Sequence, residues 1–320
     1  MRPFLLHIIC IVMLFSSCNW VNDDLSDCPT GTWLKISYTY NILDVDAASS
    51  QVGDITIFAF DKNNKYVDRL DVDSIALHQG YCMVRVPFPE GSYHLLLWGG
   101  ASDRQYRFPY LKTGQTERKS LLLSLICNSE KQMNGKLNGL FYASLENITI
   151  SNDYQVLDAP LVKNTNYFSC ILQDDNNLLN QEDFTFTLEA ANGVMDHTNT
   201  PLGTEPVYYR PYRQEVSILD EEETPVIHAR LNTLRIMKGD QTTLTIKHVP
   251  SGQEILRLPL TQYLLLSKIH SHTGDEMGDQ EYLDRQSEWN LIFSVTEKPG
   301  GGEFIQIGLV VGTWIYWLHD

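Results

Sequence analysis

The chain has 320 residues, with 24 Lys and Arg against 40 Asp and Glu and a formal net charge of −16 at pH 7. An acidic balance without a basic stripe argues against a nucleic-acid partner, and the length suits two ordinary domains. Beyond the first eighteen residues no apolar run reaches the ~18 residues of a membrane-spanning helix; Ser120–Ile126, Tyr263–Leu266 and Gly308–Leu318 are all too short.

The chain opens with Arg2, an apolar stretch Pro3–Phe15 broken only by His7, and Ser16-Ser17 directly before Cys18. This is the pattern of a secretory signal peptide. A cysteine at the cleavage point resembles a bacterial lipoprotein signal, in which the thiol is diacylated and the cysteine becomes the new N-terminus. Phe15 stands where that pattern prefers Leu. An ordinary signal peptide or a short anchor helix is the competing reading. Acyl chains hold a soluble domain to a membrane at roughly 0.8 kcal/mol per buried methylene. The expected layout is therefore a signal over 1–17, a lipidated tether over 18–30 carrying Cys18, and an extracytoplasmic remainder where disulfides are permitted. Cys10 leaves with the signal. Cys28, Cys82, Cys127 and Cys170 allow three pairings, or serve as small buried hydrophobes. Cys82 shares an alternating face with Val84, Val86 and Phe88, and Cys170 shares one with Phe168 and Leu172.

From there the dominant period is two. Trp33–Tyr40 alternates, with Leu34, Ile36, Tyr38 and Tyr40 on one face. Ile55–Phe60, the polar turn Asp61–Lys65 and Tyr66–Leu70 predict a hairpin. Strands follow at Cys82–Phe88, Tyr93–Trp98, Phe168–Leu172, Phe184–Leu188, Val226–Arg235, Leu244–Val249, Ile255–Leu260, Leu291–Val295 and Phe304–Leu318. Helical patterns are weak and confined to Ser120–Cys127, Thr261–Ile269 and Glu281–Gln286. Many short strands bounded by turns predict β-sandwiches. The polar stretch Asn152–Asn166 divides the chain into sandwiches at 31–158 and 159–320.

Chemistry-bearing motifs are missing. The sequence has no G-x-S-x-G elbow, H-E-x-x-H pair, phosphate-cradling glycine loop or C-x-x-C, so no catalytic residue and no cofactor is assigned. His270, His272, Asp275 and Glu276 form a loose group in a loop, and plain surface residues outweigh a metal site there. Asp61 and Asn63 lack the glycine and distal acid of a calcium loop, which leaves a turn. Gly300-Gly301-Gly302 is read as a flexible hairpin loop. Asp73-Ser74-Ile75 matches a short O-glycosylation sequon of some Gram-negative anaerobes, making Ser74 a candidate. Asn147-Ile148-Thr149 matches an N-glycosylation acceptor that has little meaning in a bacterial lipoprotein.

A wider pattern emerges from order and spacing. Asp23-Asp24 follow Cys18, then Leu25, Cys28-Pro29 and a strand ending in Tyr40-Asn41. Ile57–Asp61 and Tyr66-Val67 come next, then Pro89-Glu90-Gly91-Ser92-Tyr93 leading into Leu97-Trp98-Gly99. Near the end stand Tyr282-Leu283-Asp284-Arg285 and a strand closing on Gly312-Thr313-Trp314. Over nearly all the mature chain this resembles the FimB-like fimbrial anchor lipoproteins, or fimbrillin-A-associated anchor proteins, of type V pili. The resemblance implies two transthyretin-like β-sandwich domains in tandem and a lipidated subunit at the pilus base, in the outer membrane and facing outward. It also implies strand exchange with fimbrillin shaft or accessory subunits. Shaft subunits of that group lose an N-terminal segment after a basic residue; here Asp23–Thr32 holds no Lys or Arg, and the first basic residue after Cys18 is Lys35. That absence suits an anchor. Asp23 and Asp24 resemble the acidic export signal of surface lipoproteins, with a plain solvated tether as the alternative.

Sheet edges normally avoid pairing, whereas a pilus can use such pairing as its joint. Odd positions of Phe304–Leu318 read Ile305, Ile307, Leu309, Val311, Thr313, Ile315 and Trp317, a nearly continuous apolar face. A single strand of that length is unusual, and Gly312 is the natural break. The expectation is a core strand up to Val311 and an assembly segment of Trp314, Ile315, Tyr316, Trp317 and Leu318. The competing function is a glycan-binding β-sandwich surface lipoprotein, for which six Trp and sixteen Tyr would supply stacking surfaces.

Overall fold

The computed structural model describes residues 29–320, apart from 79–80, 102–103, 175–179, 204, 220–223, 269–276, 298–303, 312–313 and 318–320. The first strand, β1 (Thr32–Ser37), buries Leu34 and Ile36 as the alternation requires. It ends earlier than the pattern suggests. The Tyr38 amide leaves the ladder to donate to Asp46 Oδ1 at 2.9 Å, and the Asn41 side chain donates to the carbonyls of Tyr38 and Val45. A single turn, α1 (Ala48–Gln51), follows.

The predicted hairpin is present as β2 (Ile55–Asp61) and β3 (Tyr66–Val72). Asp61 Oδ1 accepts from the amides of Asn63 and Lys65, at 2.8 and 2.9 Å, and Asn64 takes a left-handed φ of 59°. Those bonds give Asp61 a turn-holding role, as a short acidic side chain at a turn predicts. Next come β4 (Ala76–His78), β5 (Tyr81–Arg85) and β6 (Gly91–Gly99). The short strands β7 (Tyr106–Arg107), β8 (Leu123–Leu125) and β9 (Gln132–Met133) lead to β10 (Phe141–Ile150), β11 (Gln155–Pro160) and β12 (Val162–Lys163). The remaining strands are β13 (Asn166–Asp174), β14 (Phe184–Ala190), β15 (Val194–Met195), β16 (Val207–Tyr209), β17 (Arg213–Leu219) and β18 (Thr224–Thr233). They are followed by β19 (Thr243–His248), β20 (Gln253–Pro259), β21 (Glu288–Glu297), β22 (Phe304–Val311) and β23 (Trp314–Trp317). The helices α2 (Leu260–Lys268) and α3 (Asp279–Arg285) lie between β20 and β21, where two of the three weak helical patterns fell.

The third pattern, Ser120–Cys127, is a correction. It contains β8, which pairs with β7 and β15 and buries Leu123, with Leu121 buried just before it. A short apolar run fits a helix and a buried strand equally well by periodicity, and here cross-strand partners decide. The sequence reading also passed over β10, β11 and β17, whose polar outward residues dilute the apolar signal.

The fold is an all-β sandwich architecture. Sheets β11-β1-β5-β4 and β12-β10-β6-β2-β3 enclose one core around Leu34, Ile57, Val84, Leu97 and Phe141. The other face of the second sheet presents Phe58, Phe60, Leu96 and Trp98 to a larger core, shared with β17-β18-β13-β21-β22-β23 and β20-β19-β14-β16-β9. Leu95, Leu96, Leu97 and Trp98 are therefore all buried. Burial on both faces is why β2 and β6 read as unbroken apolar runs. Tyr142 packs its ring on Trp98 at 4.8 Å and donates its hydroxyl to the His197 carbonyl at 2.6 Å, tying the central sheet to the later strands.

Candidate functional site

The six-stranded sheet places the predicted assembly segment at its rim. β21 is held between β13, parallel, and β22, antiparallel, with Leu291, Phe293 and Val295 buried. β22 then pairs with β23 in the register Gly308↔Trp317, Leu309↔Tyr316, Val310↔Ile315 and Val311↔Trp314. The chain thus reverses after Val311. The expectation is a strand up to Val311 and a separate segment after Gly312, and Trp314–Trp317 is an edge strand among the described residues. Because paired residues of antiparallel strands share a face, Trp314 and Tyr316 align in register with Val311 and Leu309, and through them with Leu291 and Phe293. A run alternating through the reversal cannot keep its odd positions together, since Val311 and Trp314 differ by three.

β23 has β22 on one side and, among the described residues, no strand on the other. The opposite rim differs. There β17 is covered where the Val216 amide donates to Gln181 Oε1 at 3.1 Å, and Gln214 Nε2 donates to the carbonyls of Gln181 and Phe184 at 2.7 and 2.9 Å. Both rims therefore lack a further strand among the described residues, and β17 carries these side-chain bonds. Leu318 lies outside the described residues.

So do Cys18, Asp23, Asp24 and Cys28, as well as the His270, His272, Asp275, Glu276 group and Gly300–Gly302. Ser74 sits exposed in the bend between β3 and β4. Cys82, Cys127 and Cys170 are all free thiols. Burial pushes the Cys170 thiol up, and likewise those of Cys82 and Cys127, which favours the protonated form. Among the described residues no group of His, Cys, Asp and Glu is arranged to hold a metal.

The Tyr282–Arg285 motif acquires a physical role. It lies on α3, and each residue faces a different partner. Tyr282 stacks edge-on against Trp289 at 5.8 Å, with its hydroxyl 3.1 Å from Ser267 Oγ. Leu283 is in the larger core. Asp284 receives a two-pronged contact from Arg235, Nε to Oδ1 and Nη2 to Oδ2 at 2.7 Å each. Arg285 reaches back across the chain: it bonds Glu281 Oε1 at 2.8 Å, the Asn41 carbonyl at 3.2 Å and Asp44, and its guanidinium lies 4.4 Å from the Tyr40 ring centroid. One short helix thus fastens the loop after β1 to the base of the six-stranded sheet. Sequence reasoning singled out the motif and missed this clasp, because its partners are separated by up to 244 positions.

Comparison with known proteins converges on one group. The model of the Mfa2 family, fimbrillin-A associated anchor proteins Mfa1 and Mfa2, matches residues 25–320. The minor fimbrium anchoring subunit Mfa2 of Porphyromonas gingivalis is 22% identical over 257 residues, 79% of this chain and 77% of that protein. Among solved structures, a provisionally named adhesin from Bacteroides ovatus superposes with a TM-score of 0.76 at 31% identity, covering 95% of this chain and 99% of its own. A Bacteroides thetaiotaomicron protein provisionally named for polysaccharide binding gives 0.77 at 26%, covering 91% and 99%. The P. gingivalis fimbrial anchor protein Mfa2 gives 0.70 at 19%, covering 91% and 100%, a likeness of fold.

Proposed function

This chain belongs to the family of fimbrillin-A associated anchor proteins, and from that premise we propose that it fixes a type V fimbria to the outer membrane. In this reading Cys18 carries the acyl chains, and 18–30 is the tether. Asp23-Asp24 direct the protein to the outer leaflet. The two sandwiches form the body, with β11 and β12 carrying the first one past the expected boundary at 158 and β9 crossing into a sheet of the second, and β23 with Leu318 receives or donates a strand at the joint with a fimbrillin subunit. The observation that carries the reading is the placement of β23: the last strand of the chain lies at a rim of a six-stranded sheet. Main-chain pairing at such a rim gives affinity, and alternating side chains give selectivity. Fimbrial relatives, none of them named as an enzyme, are consistent with a structural role.

The test uses the full-length protein in cells. Deleting Trp314–Asp320 should leave a surface-displayed lipoprotein and release pili into the medium. Ile315→Lys, which puts a charge on the rim strand without shortening the chain, should do the same. Pili that stay cell-bound in both variants would refute the joint. Separately, Cys18→Ala should abolish labelling by a fatty-acid analogue; unchanged labelling would refute the anchor.

A further inference from the structure

A cleft of about 470 Å³ opens on the outer face of the six-stranded sheet, between β13, β18 and the start of β21. Its volume falls in the range of small-molecule sites, about 300–1,000 Å³. The chain is strongly acidic overall, yet Lys136, Lys163 and Arg230 converge here against the single carboxylate of Glu288. Among the described residues none of the three cations is in an ion pair.

Lys163 is 6% exposed. Its ammonium donates to Gln51 Oε1 at 3.1 Å and lies 5.1 Å from the Tyr167 ring centroid. Lys136 Nζ lies between two rings, 5.9 Å from the centroids of both Tyr167 and Tyr212. Aromatic faces hold cations in place without neutralising them, and burying a charge without a counter-ion is costly. Accordingly, burial pushes the Lys163 amine down from its ordinary value. Two braced lysines and Arg230 at one cleft outnumber Glu288 and make a site for a further anion.

The rest of the lining narrows the anion. Ser169, whose Oγ lies 2.8 Å from His228 Nε2, stands beside Arg230 in register, and Asn290 stands on Ser169's other side. These groups and Glu288 offer donors and acceptors suited to hydroxyls. Glu288 also opposes a compact multiply charged group such as phosphate. A sugar ring bearing one carboxylate and several hydroxyls satisfies both demands. We propose that this cleft binds an acidic saccharide unit, its carboxylate against Lys136, Lys163 and Arg230 and its hydroxyls against Glu288, Asn290 and Ser169. The proposal is independent of the joint at β23.

Calorimetric titration of full-length protein in detergent tests it. The probes are tri-galacturonic acid and its methyl ester, sialyllactose and lactose, and inorganic phosphate. At least one acidic sugar should bind at least tenfold more tightly than its neutral counterpart and than phosphate. Arg230→Gln and Lys136→Gln should each weaken that binding at least tenfold, while cells carrying either variant keep their pili. Lys136 is exposed, so its replacement leaves the fold intact. Uronate-only or sialate-only binding would assign the source of the carboxylate. Equal binding of acidic and neutral sugars, phosphate binding as well as the sugars, no sugar binding, or variants that bind like the parent would each overturn the proposal.

Discussion

The contact between Arg235 and Asp284 allows the most demanding test of the packing argument. Asp284 is 6% exposed and Arg235 14%, so both charges are largely withdrawn from water. The carboxylate receives both prongs of the guanidinium and a further bond from Gln280 Nε2 at 3.0 Å. Asp284→Ala leaves the guanidinium buried with, among the described residues, only the Asn199 carbonyl as partner, at 2.5 Å. Removing one member of a buried pair costs about 3–5 kcal/mol, whereas replacing both by apolar residues is often neutral. Urea unfolding of Asp284→Ala should therefore show a loss of about 3–5 kcal/mol. The double variant Arg235→Met, Asp284→Leu should recover most of it. A single-variant loss below about 1 kcal/mol, the level of an exposed pair, or a double variant no better than the single, would refute the assignment of a desolvated pair.

Gly100 has φ 68°, and a Cβ there would sit 2.0 Å from the Gly139 carbonyl oxygen; Gly100→Ala should cost about 2–4 kcal/mol from backbone strain plus overpacking. Gly114→Ala, at φ 73° with nothing within 4 Å, should cost only about 1 kcal/mol, and equal losses in urea unfolding would remove the steric argument. For Glu146, partial burial opposes ionisation, but Arg118 and Ser144 hold its carboxyl down at about 2, against about 4.3 in an unfolded chain. Its stabilisation is present above about 4.3 and is lost as the pH falls towards 2, so Glu146→Gln should flatten the stability–pH curve over that interval, and an unchanged slope would refute it.

The sheet fold was legible because period-two alternation survives wherever one sheet face is wet, as in β1 and β14. It was legible in another way at β2 and β6, where burial on both faces turned alternation into continuous apolar runs. The segment at Ser120–Cys127 failed because its partners, Val194 and Met195, lie some 70 residues on and leave no local trace. β10 failed for a different reason. Its ladder shifts between Leu145 and Ile148, with Asn147 at φ 52°, so the alternation changes phase in mid-strand. At the C-terminus Gly312 marked the break, but a glycine does not say whether the chain bends onward or turns back. The cationic cleft was invisible: its charges come from the 133–140 connection, β12 and β18, brought together only by the fold.

The pairing of β1 has a mechanical consequence. Cys18 stands fourteen residues before Thr32, a contour of at most about 50 Å, so tension on the N-terminal segment reaches β1 almost at once. β1 is gripped on both sides, by six residue pairs with β11 and four with β5. Those hydrogen bonds run across the strand, so a pull along β1 loads them in shear and all must yield together. β23 is held on one side by four pairs, with Trp317 opposite Gly308 at the open end. A pull on that end unzips them one at a time. If load enters at these two ends, as the proposed anchor requires, β23 should unzip before β1 slips.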